Sequence, residues 1–302
     1  MADELRFDRR FDAVAGVPQT VAPGVRRILA PNPGPFTFTG TCTYLVGEGE
    51  VAVIDPGPDD AAHLAALERA LAGERVTHIL LTHTHRDHSG ALAALQRATG
   101  APVYAQGPHR PARPLRVGEA NPLDAAADHA FRPDIVLADG AAIAGRGWSL
   151  TAIATPGHAA NHLAFAFEAQ ALLFSGDHVM AWATTIVAPP DGAMGDYMAS
   201  LHKLAARPEQ LYLPGHGGPV REAPQFVAGL LRHRQARENA ILRTLARGPM
   251  AVPELVRAIY IGLDPRLAGA AGLSTLAHLE ELVARGAVHT DSAPALDGLY
   301  RL

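Results

Sequence analysis

Cysteine is nearly absent from this chain: of 302 residues only Cys42 carries a thiol, so no disulfide can form within it, an economy compatible with the cytosol. Lysine also occurs once, at Lys203, leaving arginine to supply almost all positive charge. No apolar run reaches membrane-spanning length, and the opening MADELRFDRRFDAVAG is charged where a secretory signal would be apolar. These absences predict a soluble cytoplasmic protein without a membrane partner. An excess of basic charge is missing too. Residues 1–228 carry 17 basic and 23 acidic side chains and residues 229–302 carry 9 and 7, so neither part is a strong polyanion binder by charge alone. The 29 glycines and 24 prolines show no period, which excludes a fibrous repeat, while 48% apolar residues and a mean hydropathy of +0.05 describe a globular chain with ample core.

The length allows two domains. The runs YLVG (44–47) and VAVID (51–55), split by Gly-Glu-Gly-Glu, predict a hairpin ending at Asp55-Pro56-Gly57. Asp59 and Asp60 can cap an Ala/Leu-rich helix over 61–72, and HILL (78–81), ALAALQRAT (91–99) and PVYA (102–105) continue a strand and helix alternation. Residues 106–134, with five prolines and little periodicity, predict a long excursion over one face. Strands are expected at 149–156, 163–168, 171–177 and 211–217, with a helix near 196–206. Beyond about Phe226 a long amphipathic helix, two shorter helices and a terminal ribbon describe a winged-helix module. The division expected is 1–228 and 229–302.

What the sequence has in abundance is histidine, fifteen in all, and their placement carries the argument. Thr82-His83-Thr84-His85-Arg86-Asp87-His88-Ser89-Gly90 sets three imidazoles and a carboxylate within six residues, after an apolar strand and before a helix. Neutral imidazole and carboxylate are zinc ligands, and such a carboxylate also suits a proton acceptor near the metal. Asp55 in IDPG, His158 in TPGHAANH, Asp177 in SGDH and His216 in PGHG each follow a strand beside a glycine, which permits a sharp turn toward a shared centre. His162, four residues after His158, could reach the substrate side. His178 would face away from the centre, and the remaining histidines show no clustering.

THTHRDHSG resembles the HxHxDH signature of the metallo-β-lactamase superfamily, and Asp55, His83, His85, Asp87, His88, His158, Asp177 and His216 follow that superfamily's motif order. The resemblance implies a four-layer αββα sandwich with two metal ions, zinc or another divalent transition metal. It implies His83, His85 and His158 on the first, Asp87, His88 and His216 on the second, Asp177 bridging them, and Asp55 orienting a ligand from behind. NPGPFTFTGTCTYLVG (32–47), the DYMASLHKL helix and the C-terminal region narrow the resemblance to the branch holding the β-lactamase-like protein 2 endoribonuclease, its bacterial relatives and fungal thioesterases. Family members commonly carry Asn where this chain has Cys42, which reads here as a small buried residue.

Two metals about 3.5–4 Å apart can hold a bridging hydroxide, polarise a carbonyl or phosphoryl oxygen and steady the leaving group, with Asp87 as the catalytic proton acceptor. The expected activity is hydrolysis of a small-molecule ester or thioester, with single-strand RNA cleavage as the alternative. Glyoxalase II and β-lactamase activities fit less well: the first normally ends in a different helical region, and family lactamases do not use the bridging aspartate. The long helix and LSTLAHLEELVARG offer little that reads duplex DNA, so packing, roofing of the active site or homodimer formation is expected of the winged helix.

Overall fold

The computed structural model describes residues 5–117 and 119–302. Seven strands form the first sheet in chain order: β1 (Gln19–Ala22), β2 (Val25–Leu29), β3 (Cys42–Val46), β4 (Glu50–Ile54), β5 (Arg75–Leu80), β6 (Val103–Ala105) and β7 (Ile135–Val136). The first four form an antiparallel meander, and β4 to β7 run parallel, with helices crossing from β4 to β5 and from β5 to β6 and the 106–134 excursion joining β6 to β7. Those crossovers are α1 (Ala61–Ala70), its amino end capped by the Asp60 carboxylate on the His63 N–H at 2.8 Å, the short α2 (Arg86–Ser89), and α3 (Leu92–Thr99).

The second sheet contains β8 (Ala142–Gly145), β9 (Trp148–Ala154), β10 (Leu163–Phe167), β11 (Leu172–Gly176), β12 (Leu211–Pro214) and β13 (Val220–Arg221). Its central strands LAFAF and LLFSG are buried on both faces, as unbroken apolar runs should be. One face meets the first sheet through Phe165, Leu163 and Phe174 against Tyr44, Ile54 and Leu80. The other is covered by α4 (Met194–Ala205) and α5 (Ala223–Leu245) through Tyr197, Leu201, Val227 and Leu230. α1 and α3 cover the outer face of the first sheet with Leu67 and Leu95. The result is the αββα order.

The C-terminal module has its own core of Ile241, Leu245, Leu255, Leu279, Leu282 and Tyr300. It consists of the end of α5, β14 (Met250–Ala251), α6 (Val252–Ile259), α7 (Ala268–Ala284), β15 (His289–Thr290) and β16 (Leu299–Arg301), with β16 paired between β14 and β15. The expected boundary at 228/229 falls inside α5. This single 23-residue helix gives its first turns to the sandwich and its last to the C-terminal core, so the chain has no linker there. The hairpin β1–β2 and strands β8 and β13 lack the apolar runs or turn signals that marked the others. The 106–134 excursion is tied to α7: Arg113 lies 2.6 Å from Glu280 and 2.7 Å from Glu119, and Arg116 reaches Glu280 at 3.0 Å. Among the described residues no helix is long and apolar enough to cross a membrane.

Candidate metal centre

Strands β4, β5, β9, β11 and β12 point their carboxyl ends toward one edge of the sandwich, and the chain leaving each delivers a polar side chain there: Asp55, His83, His158, Asp177 and His216. The four-residue α2 adds Asp87 and His88, with His85 at its amino end. Glycine makes the convergence sterically feasible. A Cβ on Gly215 would lie 2.5 Å from Asp177 Oδ1 and 2.6 Å from His88 Cε1, while Gly157, at φ +141°, passes within contact of the Tyr197 backbone.

Three sets of ligand atoms gather within 4.8 Å: His83, His85 and His158; His83, His88 and Asp177; and Asp87, His88 and His216. In the first, His85 Nδ1 lies 2.9 Å from His83 Nε2 and 3.1 Å from His158 Nε2. In the last, Asp87 Oδ2 lies 3.2 Å from His216 Nε2 and 3.4 Å from His88 Nε2. Asp177 stands between them: Oδ2 is 3.2 Å from His216 Nε2 and 3.7 Å from His158 Nε2, and Oδ1 is 3.5 Å from His88 Nε2. His88 Nε2 and Asp177 Oδ1 are buried with no hydrogen-bond partner. Unpartnered polar atoms so buried are costly, and a cation among them removes the cost, so the residues present fit divalent metal.

The ring nitrogens turned away from this centre are held in four of the five histidines, the exception being His85, whose Nε2 is buried without a partner. With Nε2 inward, His88 donates Nδ1–H to Asp55 Oδ2 at 2.9 Å, His158 donates to the Ile186 carbonyl at 2.7 Å, and His216 donates to the Gly40 carbonyl at 3.2 Å. His83 donates Nδ1–H to Thr82 Oγ1 at 3.0 Å, and Thr82 passes its own hydroxyl proton to Asp55 Oδ2 at 2.7 Å. Asp55 also accepts the Thr82 N–H at 2.7 Å, so this one buried carboxylate orients both His88 and, through Thr82, His83. Thr41 Oγ1 accepts from Asn32 Nδ2 at 3.0 Å and donates to Asp87 Oδ2 at 3.2 Å. Thr41, Asn32 and Thr82 were not singled out from the sequence, although the first two lie within NPGPFTFTGTCTYLVG.

Electrostatics divide the site. Burial, then the neighbouring imidazoles, pushes His83 far below the ordinary histidine range and His85 down to about 3, leaving both neutral. Burial also opposes charge on His88 and His216, but the carboxylates outweigh it: His88 is held well above its usual value by Asp87, Asp177 and Asp55, and His216 is raised to about 9 by Asp177 and Asp87. Burial resists ionisation of Asp87 and Asp177, yet His88 and His216 hold both as anions. His83 and His85 are thus already in the neutral state a divalent cation requires, whereas His88 and His216 give up a proton to the solvent when one binds beside the fixed carboxylates.

His162 is not on the substrate side. Its ring is 1% exposed, donating Nδ1–H to Thr155 Oγ1 at 2.8 Å and accepting the Asp177 N–H on Nε2 at 3.1 Å. It fixes the backbone at Asp177, because the turn after His158 sets His162 opposite Thr155 where the chain enters β10. His178 stacks on Tyr197 at 4.5 Å, away from the centre. Cys42 is fully buried and its thiol is pushed up to about 11 by desolvation, so it is no nucleophile.

Above the centre opens a cavity of about 540 Å³, floored by His85, Asp87, His158, Asp177 and His216. Its walls are mostly apolar: Phe36, Leu123, Met180, Ile186, Ala270 and Leu273, with Arg86 and Arg266 beside them. Leu123 comes from the 106–134 excursion, and Ala270 and Leu273 from α7, so the winged helix roofs part of the site.

Residues 36–216 match the family model of the metallo-β-lactamase superfamily, and 251–295 match that of the β-lactamase-associated winged helix domain. The chain belongs to the metallo-β-lactamase superfamily and is a hydrolase of that metal-binding group. It is 31% identical over 265 residues to an atrochrysone carboxyl ACP thioesterase of Aspergillus terreus, covering 82% of this chain and 76% of that one. It is also 31% identical over 235 residues to a β-lactamase-like protein 2 homolog of Caenorhabditis elegans, covering 75% and 72%. Among solved structures, a metallo-β-lactamase family protein from Thermus thermophilus is similar with a TM-score of 0.75 and 29% identity over 93% of this chain and 99% of that one.

Proposed function

We propose that this protein hydrolyses acyl thioesters at a centre of two divalent metal ions, zinc being the ion its donors suit. The observation that carries the reading is the cavity: apolar walls directly over the ligand cluster suit an acyl chain with its carbonyl at the floor. The A. terreus relative is named for an activity of the same kind. His83, His85 and His158 would hold one ion, Asp87, His88 and His216 the other, with Asp177 between them. Bound there, the metals supply Lewis acidity and a water of lowered pKa.

The chain's own residues do the rest. Phe36, Met180, Ile186 and Leu273 exclude water from the acyl group and position it. The reaction forms a C–O bond from water to the acyl carbon and breaks the C–S bond. A carboxylate oxygen of Asp87, steered by the Thr41 hydroxyl, takes the proton released by water and returns it to the departing thiolate sulfur, giving a carboxylic acid and a thiol. Asp55 contributes by keeping the His88 and His83 tautomers fixed.

Metal-loaded protein assayed in parallel on acyl thioesters, oxyesters and single-stranded RNA tests this. Thioester turnover that is lost with chelator and restored by zinc, with about two ions per chain by elemental analysis, is the expected result. Cleavage of RNA with thioesters untouched overturns it.

A further inference from the structure

Beside the metal cavity, and sharing Phe36, Met180, Ile186 and Ala270 with it, lies a second chamber of about 270 Å³ between the sandwich and the C-terminal module. Among the described residues its walls carry three arginines, Arg9, Arg234 and Arg237, and no acidic side chain. Arg234 is 3% exposed; its Nη2 donates to the Thr185 carbonyl, while its Nε is buried without a partner. The indole Nε1 of Trp182, on the same chamber, is likewise buried without an acceptor. Arg237, one helical turn along α5, lies over the Tyr260 ring at 3.9 Å, a contact that fixes its guanidinium at the chamber wall. Burial and then the two α5 arginines push His233 down to about 4, so it is neutral near pH 7.

Buried cation without carboxylate, and N–H donors without acceptors, are two costs that one ligand can remove: an anion with several oxygens. A phosphate group has that form, and arginine is the side chain that binds it with paired donors. The chamber adjoins the acyl cavity, with four wall residues common to both, and that adjacency points to an anion carried on the substrate itself. Resting on the thioester reading above, we infer that this chamber binds a phosphate carried on the thiol arm of the substrate, so that an acyl-phosphopantetheine thioester lies across both spaces, acyl end over the metal ligands and phosphate against Arg237 and Arg234.

The test is calorimetric titration of the full chain with pantetheine 4′-phosphate and with pantetheine, alongside kcat/KM for the corresponding acyl thioesters. The phosphate should improve both affinity and kcat/KM by about tenfold or more, the size of a single charge-assisted hydrogen bond. In Arg237→Gln the ratio between phosphorylated and unphosphorylated ligands should fall toward one, with the change in KM rather than kcat. Equal affinity for the two ligands in the wild type, or a preference that survives in Arg237→Gln and in Arg9→Gln/Arg237→Gln, overturns the inference. If no thioester is turned over, the thioester reading fails by itself and the titration still decides the chamber. Arg237-dependent binding of a short single-stranded RNA, with no preference between the pantetheines, assigns the chamber to nucleic acid and overturns the inference.

Discussion

Replacing Asp55 by asparagine tests whether a residue that touches no substrate governs the metal site. Asp55 sits at φ +51°, in the left-handed region that asparagine adopts as readily as aspartate, so the backbone should survive the change. The carboxylate accepts three hydrogen bonds, from Thr82 N–H, Thr82 Oγ1–H and His88 Nδ1–H. An amide has one oxygen and one NH₂. If its oxygen keeps the Thr82 N–H, its NH₂ faces two donors, and His88 can relieve the conflict only by moving its proton to Nε2, the atom aimed at the metal. Loss of a hydrogen bond to a charged group costs about 1.5–3 kcal/mol. At roughly 2 °C per kcal/mol for a domain of this size, Tm should fall by about 3–6 °C. Metal affinity should fall more selectively, about 10–100-fold at the site containing His88, with the His83, His85 and His158 site less affected through the longer route by Thr82. Chelator competition with elemental analysis, together with calorimetric melting, reads both effects. An Asp55→Asn variant that holds both ions with affinity close to that of the wild type would refute the argument that Asp55 sets the His88 tautomer.

Asp87→Ala should reduce kcat by a factor of about 10²–10⁴ with only a few degrees' loss of Tm, because its carboxylate faces the cavity while its backbone lies in a short helix; wild-type kcat would remove it from proton transfer. Leu273→Trp should narrow the cavity, so kcat/KM for long acyl chains should drop at least tenfold while acetyl substrates change little; a uniform loss would show that Leu273 does not line the acyl path. Acid should loosen the 106–134 excursion. The Arg113 guanidinium lowers the Glu119 carboxyl from 4.5 to about 2, a depressed value, so the stabilisation is complete above the unfolded value and disappears as pH falls through the window from about 4.5 to 2. Limited proteolysis at graded pH should show cleavage within 110–125 rising across that window, and Arg113→Ala should show it at neutral pH; protection unchanged in both would separate the excursion from this ion pair.

The histidines and aspartates that the fold gathers were legible because half of them are local. His83, His85, Asp87 and His88 lie within six residues, and each distant ligand announces itself as a His or Asp beside glycine at a strand end, so chain order alone aligned them. Short apolar runs gave β3 to β6 and β9 to β12 but not β1, β2, β7, β8 or β13, and 3.6-residue periodicity gave the longer helices, including the unbroken α5. That same periodicity carried no mark of where one core gives way to the next, so the boundary within α5 needed Leu230 and Ile241 to be seen in different cores. Side-chain direction was equally hidden: His162 is close to His158 in sequence, but the fold of the intervening turn sends it under Asp177.

What the sequence by itself determined is which imidazoles and carboxylates stand at the cavity floor, since residue type and order are properties of the chain. What only tertiary structure decided is the space around that chemistry. Leu123, Ala270 and Leu273 wall the site from segments far along the chain from the ligands at 83–88, and they are unremarkable until packing brings them there. The arginine chamber is the plainer case: a net charge of +2 over the last 74 residues argued against anion binding, but net charge is a sum over the whole surface, whereas Arg234 and Arg237 act at one place, from which carboxylates such as Glu238 and Glu280 are turned away to pair with Arg285 and Arg113. A sum cannot report where charges sit, and that arrangement is fixed only when α5 docks across both cores.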